Sequence, residues 1–225
     1  MKKQWFFWGL ILLLLILAAG YFINNSKDDS GTVRQVKDMP WQVDVVSDNV
    51  TSVLSLEIGQ SDLASVVATL RKVPKMAAFE NAKGERIIEA FFDKVKLGVF
   101  FAAIAVEVDI EGVDISKYAR FDSSGKPMPS GQRKYMLSKT GLLDAYKLRV
   151  WKLAYLAKTN YSEAQLLKFF GQPSERKVVT KELEYWIYPE KSMVVVFDKE
   201  GKEVFYYSAS KEFERLKASI KVDNE

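Results

Sequence analysis

KVVTKELEYWIYPEKSMVVVFDKEGKEVFYYSA, residues 177–209, decides how this chain folds. β-Branched and aromatic residues crowd into three runs, centred on LEYWIY, SMVVVFD and EVFYYSA, and polar breaks separate them. Such residues suit a pleated, half-buried surface, while Glu190 with Lys191, and then Asp198 to Gly201, supply turns. Three consecutive antiparallel strands are predicted. Side chains alternate across a strand, so half of Tyr185, Trp186, Tyr188, Phe205, Tyr206 and Tyr207 face a core and half face outward. The outward half, Trp186 and Tyr206 or their neighbours, is a candidate binding surface, because Trp and Tyr anchor interfaces. Core packing with ordinary cross-strand pairing is the plainer account of the same residues.

The flanks of this stretch are helical. In NYSEAQLLKFFGQP, residues 160–173, Ser162 is a cap and Gln165 completes a capping box. Gly171 supplies a left-handed stop, and Pro173 prevents continuation. Beyond the strands, Ser210 caps a last helix with Phe213, Leu216 and Ile220 toward the body.

Further upstream, WQVDVV and VTSVLSLEI read as two strands joined around Asp48 and Asn49. A helix follows, with Leu63, Val66, Val67 and Leu70 on one face behind a Ser61 cap, and Pro74 bounds it. KMAAFENAKGERIIEAFF gives two strands about a turn at residues 81–84. The apolar run from Val99 to Val106 is too short to span a bilayer as a helix and reads as a central strand covered on both faces. Residues 112–140 are the least regular. Asp114 there caps a short helix, and FDSSGKPMPSGQ is a loop or an internal boundary. A short helix around Leu142, Leu143, Ala145 and Tyr146 precedes RVWKLAYL, a strand with Trp151, Leu153 and Tyr155 on one face.

The order of helix, proline and strands occurs twice, with Val66, Val67 and Leu70 matched by Leu166, Leu167 and Phe170 at a spacing of one hundred. The expected fold class is therefore α+β: an N-terminal transmembrane helix, then antiparallel sheet with short helices, arranged as two divergent helix-plus-strands repeats. The expected organisation is an anchor at residues 1–23, a flexible linker at 24–38, and an α+β domain at 39–225 with sub-units 39–125 and 138–225.

The N-terminal segment, from Trp5 to Ile23, holds nineteen residues without a charge. At about 1.5 Å rise per residue it matches a hydrocarbon core of about 30 Å. Tyr21, Phe22 and Ile23 prolong the run past the small residues Ala18, Ala19 and Gly20, which favours an uncleaved signal-anchor over a removed leader. Lys2 and Lys3 precede it, so the N-terminus is expected in the cytoplasm and the domain in the periplasm, on a bacterial inner membrane.

Composition excludes more than it assigns. The chain has no histidine and no cysteine. Imidazole and thiolate nucleophile pairs, histidine metal sites and iron–sulfur ligation are thereby excluded, and no cofactor or metal is expected. The net charge of +4 comes from interleaved signs, not from a one-sided footprint, so no nucleic-acid partner is expected. The nearest basic patch is Lys126, Arg133 and Lys134, a second candidate binding surface whose plainer account is a solvated loop. Carboxylate chemistry survives exclusion in two places, Glu182 with Glu184, and Glu107 with Asp109 and Glu111, each set on one face of a strand. Ser138 beside Lys139 reads as a cap and not as a nucleophile.

Residues 159–207, through Ser162, Gln165, Leu166, Gly171 and Pro173 followed by Tyr185, Trp186 and Tyr188, resemble the unit of the small BamE/SmpA-type outer-membrane lipoproteins and of the similar β-lactamase-inhibitor-protein fold. The resemblance implies an envelope-facing α+β module that binds proteins and performs no catalysis. It departs from that pattern in lacking a lipobox cysteine, and Lys72 stands in the first repeat where the second has Gly171. The whole chain also looks like membrane-anchored proteobacterial envelope proteins with a PWQV start and a PMPSG segment, here residues 40–43 and 127–131, which implies no activity. The expected function is a membrane-anchored, non-catalytic periplasmic binding or scaffold protein with an envelope protein as partner. The alternatives are a lipid or apolar small-molecule binding domain with its groove near residues 99–106, and a carboxylate-dependent hydrolase.

Overall fold

The structure, a computed structural model, describes residues 38–223 apart from residues 98, 99 and 123. The expected anchor at residues 5–23, and all but the last residue of the expected linker, lie outside the described residues. Among the described residues no helix is long and apolar enough to cross a membrane.

Thirteen strands and four α-helices form in this part of the chain. The strands β1 (Asp44–Ser47), β2 (Val50–Val53) and β3 (Leu56–Ile58) make a small antiparallel sheet. After helix α1 (Leu63–Leu70) come β4 (Lys75–Glu80), β5 (Arg86–Leu97), β6 (Phe100–Val108), β7 (Lys126–Pro127) and β8 (Arg133–Tyr135). Helix α2 (Lys139–Ala145), β9 (Val150–Ala157) and helix α3 (Glu163–Phe170) follow. The chain ends in β10 (Glu175–Val178), β11 (Leu183–Tyr188), β12 (Met193–Asp198), β13 (Val204–Ser208) and helix α4 (Phe213–Asp223). Ten of the strands form one antiparallel sheet in the order β10-β11-β12-β13-β9-β6-β5-β4-β8-β7.

This overturns the expected α+β class, because the domain is mostly β-sheet. Its helices are only 8, 7, 8 and 11 residues long. They plug gaps over the sheets instead of forming a layer of their own. The two expected repeats do not form separate units either. Helices α1 and α3 do fall one hundred residues apart, and both bury apolar side chains, Leu63 and Val66, Leu166 and Phe170, in one shared core. Their strands, however, lie on either side of β9, which pairs with β6 on one edge and β13 on the other.

One face of the large sheet carries the main core. Ile88 and Phe92 of β5, Ile104 of β6, Leu153 and Tyr155 of β9, and Phe205 and Tyr207 of β13 are buried there. Leu56 and Ile58 of the small sheet and the apolar sides of α1 and α3 close over them. At about 25 cal/mol per Å2, fully burying each large side chain contributes about 1.5–3 kcal/mol. The second face is closed only in part. Helix α4 lays Phe213, Leu216 and Ile220 on Tyr185, Ile187, Val194 and Val196 of β11 and β12. Its start is tied down by Arg215, whose guanidinium lies 3.9 Å from the Trp151 ring and 3.3 Å from both Asp109 and Glu212. Among the described residues no helix packs its apolar face on the part that runs over β9, β6 and β5.

A candidate binding cleft

The open part of the second face is built by cross-strand register. Glu89 of β5 stands directly opposite Glu107 of β6, and Glu107 opposite Lys152 of β9. One step along, Phe91, Ala105, Ala154 and Tyr206 form the next row across β5, β6, β9 and β13. Directly opposite residues in such a ladder have Cβ atoms about 4.5–5.5 Å apart, so each row is a continuous strip. The two alanines in the middle leave the strip hollow between Phe91 and Tyr206. Residues Asn81, Ala82 and Lys83 of the β4–β5 turn and Ser130, Gly131 and Gln132 between β7 and β8 rise beside it and enclose about 410 Å3. A second hollow of about 190 Å3 continues along the apolar strip, past Ala154 and Leu156 to Tyr206.

Two charges of the floor are buried. Lys152 forms an ion pair with Glu107, and their side chains are only 6% and 7% exposed. The Lys152 ammonium also lies 3.4 Å from Ser219 Oγ of α4 and 5.8 Å from the Tyr206 ring. Burying an ion is costly unless it is paired and hydrogen-bonded, so this row fixes the register of β5, β6 and β9 as well as the polarity of the cleft. A bulge accompanies it. Glu107 pairs with Lys152 but Val108 pairs with Val150, so Trp151 is the extra residue. That displaces Trp151 from the face expected of it, beside Leu153 and Tyr155, and sets it against Arg215 of α4.

The anticipated site residues are scattered. Tyr206 is half-buried in the floor of the cleft. Trp186 is wholly buried on the opposite face, where its indole N–H donates to Glu184 Oε2 at 3.0 Å and Arg176 covers the ring at 4.1 Å. The two aromatics expected to point out together therefore lie on opposite sides of the sheet. Lys126 and Lys134 are brought together as a cross-strand pair on β7 and β8. Arg133 alternates to the other face, where it donates to the Gly125 carbonyl at 2.9 Å. This hairpin contributes its turn, not its basic residues, to the cleft rim.

The acid sets do not converge. Strand β6 ends at Val108, so Asp109 leaves the face of Glu107 and is held by Arg149 and Arg215, while Glu111 is exposed in the following turn. Burial by itself raises the Asp109 carboxyl, but the hydrogen bond and charge of Arg149 outweigh it and hold it below the usual carboxylate range. Glu182 sits in a turn with Thr180. Glu184 takes hydrogen bonds from Lys199 at 2.9 Å and from Trp186, which lower its carboxyl. A general acid needs the opposite shift. Ser138 caps α2, accepting from the Gly141 N–H at 3.0 Å. Among the described residues no group of three or more acidic side chains could hold a metal ion. The chain has no imidazole or thiol, and Glu107 is paired with Lys152 in the floor of the cleft.

Sequence reasoning missed Glu89, Lys152, Ala105 and Ala154. It placed a groove near residues 99–106, and Ala105 of that run does line the apolar strip. Comparison with protein-family models, with curated proteins and with solved structures returns no match to this chain.

Proposed function

We propose that this is a membrane-anchored, non-catalytic binding protein of the bacterial envelope. Residues 5–23 hold it in the inner membrane with the N-terminus cytoplasmic, and the β-rich domain in the periplasm receives an envelope protein in the cleft over β5, β6 and β9. The single observation that carries the binding site is the second sheet face, which α4 closes over β11 and β12 but leaves open over a hollow, charge-fixed floor. Clefts that combine apolar walls with a few placed polar groups are where proteins bind ligands. The uncharged N-terminal run and the lysines before it support the placement. A second reading, an apolar small molecule or lipid chain in place of a protein segment, is favoured by the strip of Phe91, Ala105, Ala154 and Leu156.

Photo-crosslinking in intact cells separates these readings. A photoreactive residue replacing Gln132 on the rim or Ile87 in the floor is expected to capture the same protein, and one replacing exposed Val178 on edge strand β10 is not. Equal capture from all three positions, or none from the cleft, defeats the protein-binding proposal. Co-purification of a lipid that Ala154→Trp abolishes selects the second reading.

A further inference from the structure

Five basic side chains gather at the end of the domain where β5 turns into β6. Arg71, Lys75, Lys94 and Lys96 are exposed there, and Lys72 is half-exposed. They come from two segments that the fold brings together, since the Lys72 ammonium donates to the Lys94 carbonyl at 3.3 Å and β4 begins with Lys75 opposite Phe91. The acid among them, Asp93, is paired with Lys158 at 3.6 Å. None of the five has an acidic partner within salt-bridge distance among the described residues.

Two large apolar side chains stand within this basic field. Phe101 is 55% exposed and lies directly opposite Lys96, and Val73 is 77% exposed between Lys72 and Lys75. The start of the described chain is at the same end: Trp41 meets Phe100 edge-on at 6.2 Å and stacks on Phe169 at 4.1 Å. The chain outside the described residues therefore ends within reach of this surface. A coil of fifteen residues, the length of chain from 24 to 38, has an r.m.s. reach of about 20 Å.

We propose that this end of the domain docks on an anionic lipid surface, with the five basic side chains on the headgroup phosphates and Phe101 and Val73 dipping into the interface. The inference rests on the anchor proposed above, which keeps the domain near a bilayer. Basic residues are drawn to anionic headgroups only within about a Debye length of 8–10 Å, and the tether brings them into that range. Docking fixes which way the cleft faces, since the cleft lies on the same sheet face as Phe101, farther along β6.

The test uses the full chain in vesicles of phosphatidylcholine, alone or mixed with phosphatidylglycerol. Because the chain has no cysteine, Phe101→Cys or Glu111→Cys carries a single environment-sensitive fluorophore. Glu111 is exposed in the turn after β6, at the strand's far end from Phe101. The label at 101 is expected to shift to the blue only with phosphatidylglycerol, and high salt reverses the shift; the label at 111 does not respond. Lys72→Glu with Lys94→Glu and Lys96→Glu lowers the docked-to-undocked ratio by at least about a hundredfold. The same emission from 101 in both vesicles, or an equal shift at 111, overturns the proposal. Alkaline extraction reports separately on the anchor. Release of the charge-reversed chain refutes the anchor, and the comparison of 101 with 111 then judges the docking surface alone.

Discussion

Replacing Lys152 by Met keeps the length and apolar stem of the side chain and removes only its charge. Glu107, 7% exposed, then has no ammonium beside it and still faces Glu89 directly across the ladder. Removing one partner of a buried pair costs about 3–5 kcal/mol. An independent figure agrees: an ammonium and a carboxylate about 4 Å apart attract by about 4 kcal/mol at an effective dielectric constant of about 20, and the variant loses that attraction. A domain of this size unfolds with an entropy of about 0.4 kcal/mol/K, from about 2.1 cal/mol/K per residue, so the loss lowers Tm by about 10 °C. The double variant Lys152→Met/Glu107→Leu restores most of it, because an apolar pair of similar volume carries no desolvation penalty. Thermal unfolding of the full chain in detergent, followed by near-ultraviolet circular dichroism, measures all four corners of the cycle. Coupling between the two positions is expected at about 2–3 kcal/mol. If Lys152→Met loses less than about 1 kcal/mol, or the double variant is no better than the single, the ion pair does not hold the cleft floor and the argument fails.

Trp186→Ala is expected to lose about 3–5 kcal/mol by emptying a fully buried site, whereas Tyr206→Ala loses about 1 kcal/mol but weakens capture at the cleft. Parallel unfolding and crosslinking of the two variants checks this, and equal stability loss sinks it. Ser162→Ala removes the hydroxyl that accepts from the Gln165 N–H at 3.3 Å, with a loss of about 1 kcal/mol in urea unfolding. Glu203 is 1% exposed, and burial pushes its carboxyl up even though it accepts the Tyr161 N–H at 3.0 Å. A raised carboxyl favours the folded state below its unfolded value, about 4.3, and that advantage is lost as pH rises through the folded value. Glu203→Gln, which keeps an acceptor for Tyr161, is therefore expected to be more stable than the parent at pH 8 and no more stable at pH 4. A destabilised Gln variant at pH 8 contradicts the sign.

Local elements were legible where the signal is local. The capping box of α3 forms as read, with the Ser162 N–H donating to Gln165 Oε1 at 2.8 Å. The three strands around LEYWIY, SMVVVFD and EVFYYSA form β11, β12 and β13. At α1 the cap moves by one residue: Asp62 Oδ1 accepts from the Ser65 N–H at 2.8 Å, and the Ser61 hydroxyl accepts from the Glu57 N–H. A carboxylate beside a hydroxyl competes for the same orphan amide, and here the acid wins. What the sequence hid is register. Trp186 and Tyr206 share even numbers, but Trp186 pairs with Val195 and Val195 with Phe205, so the turn lengths reverse the parity between strands β11 and β13. Alternation inside one strand says nothing about its phase relative to the next.

The fold class failed for a related reason. The helical patterns are real but short, and the residues that turn two helix-plus-strands units into one sheet are those of β9 and β6, which lie far apart in the chain. A signal for that pairing was nonetheless present. Glu107 interrupts an apolar run in IAVEV, and Lys152 interrupts another in VWKLAYL. A single charge inside a strand that is apolar on both sides is tolerated only with a partner, since an unpaired buried ion costs several kcal/mol. Two such interruptions of opposite sign, in strands of similar length, point to each other. Applied to the sequence, that rule pairs β6 with β9, sets Glu107 opposite Lys152, and merges both halves of the chain into one sheet. It also puts a buried ion pair in the floor of whatever that sheet leaves uncovered, which is where the cleft lies.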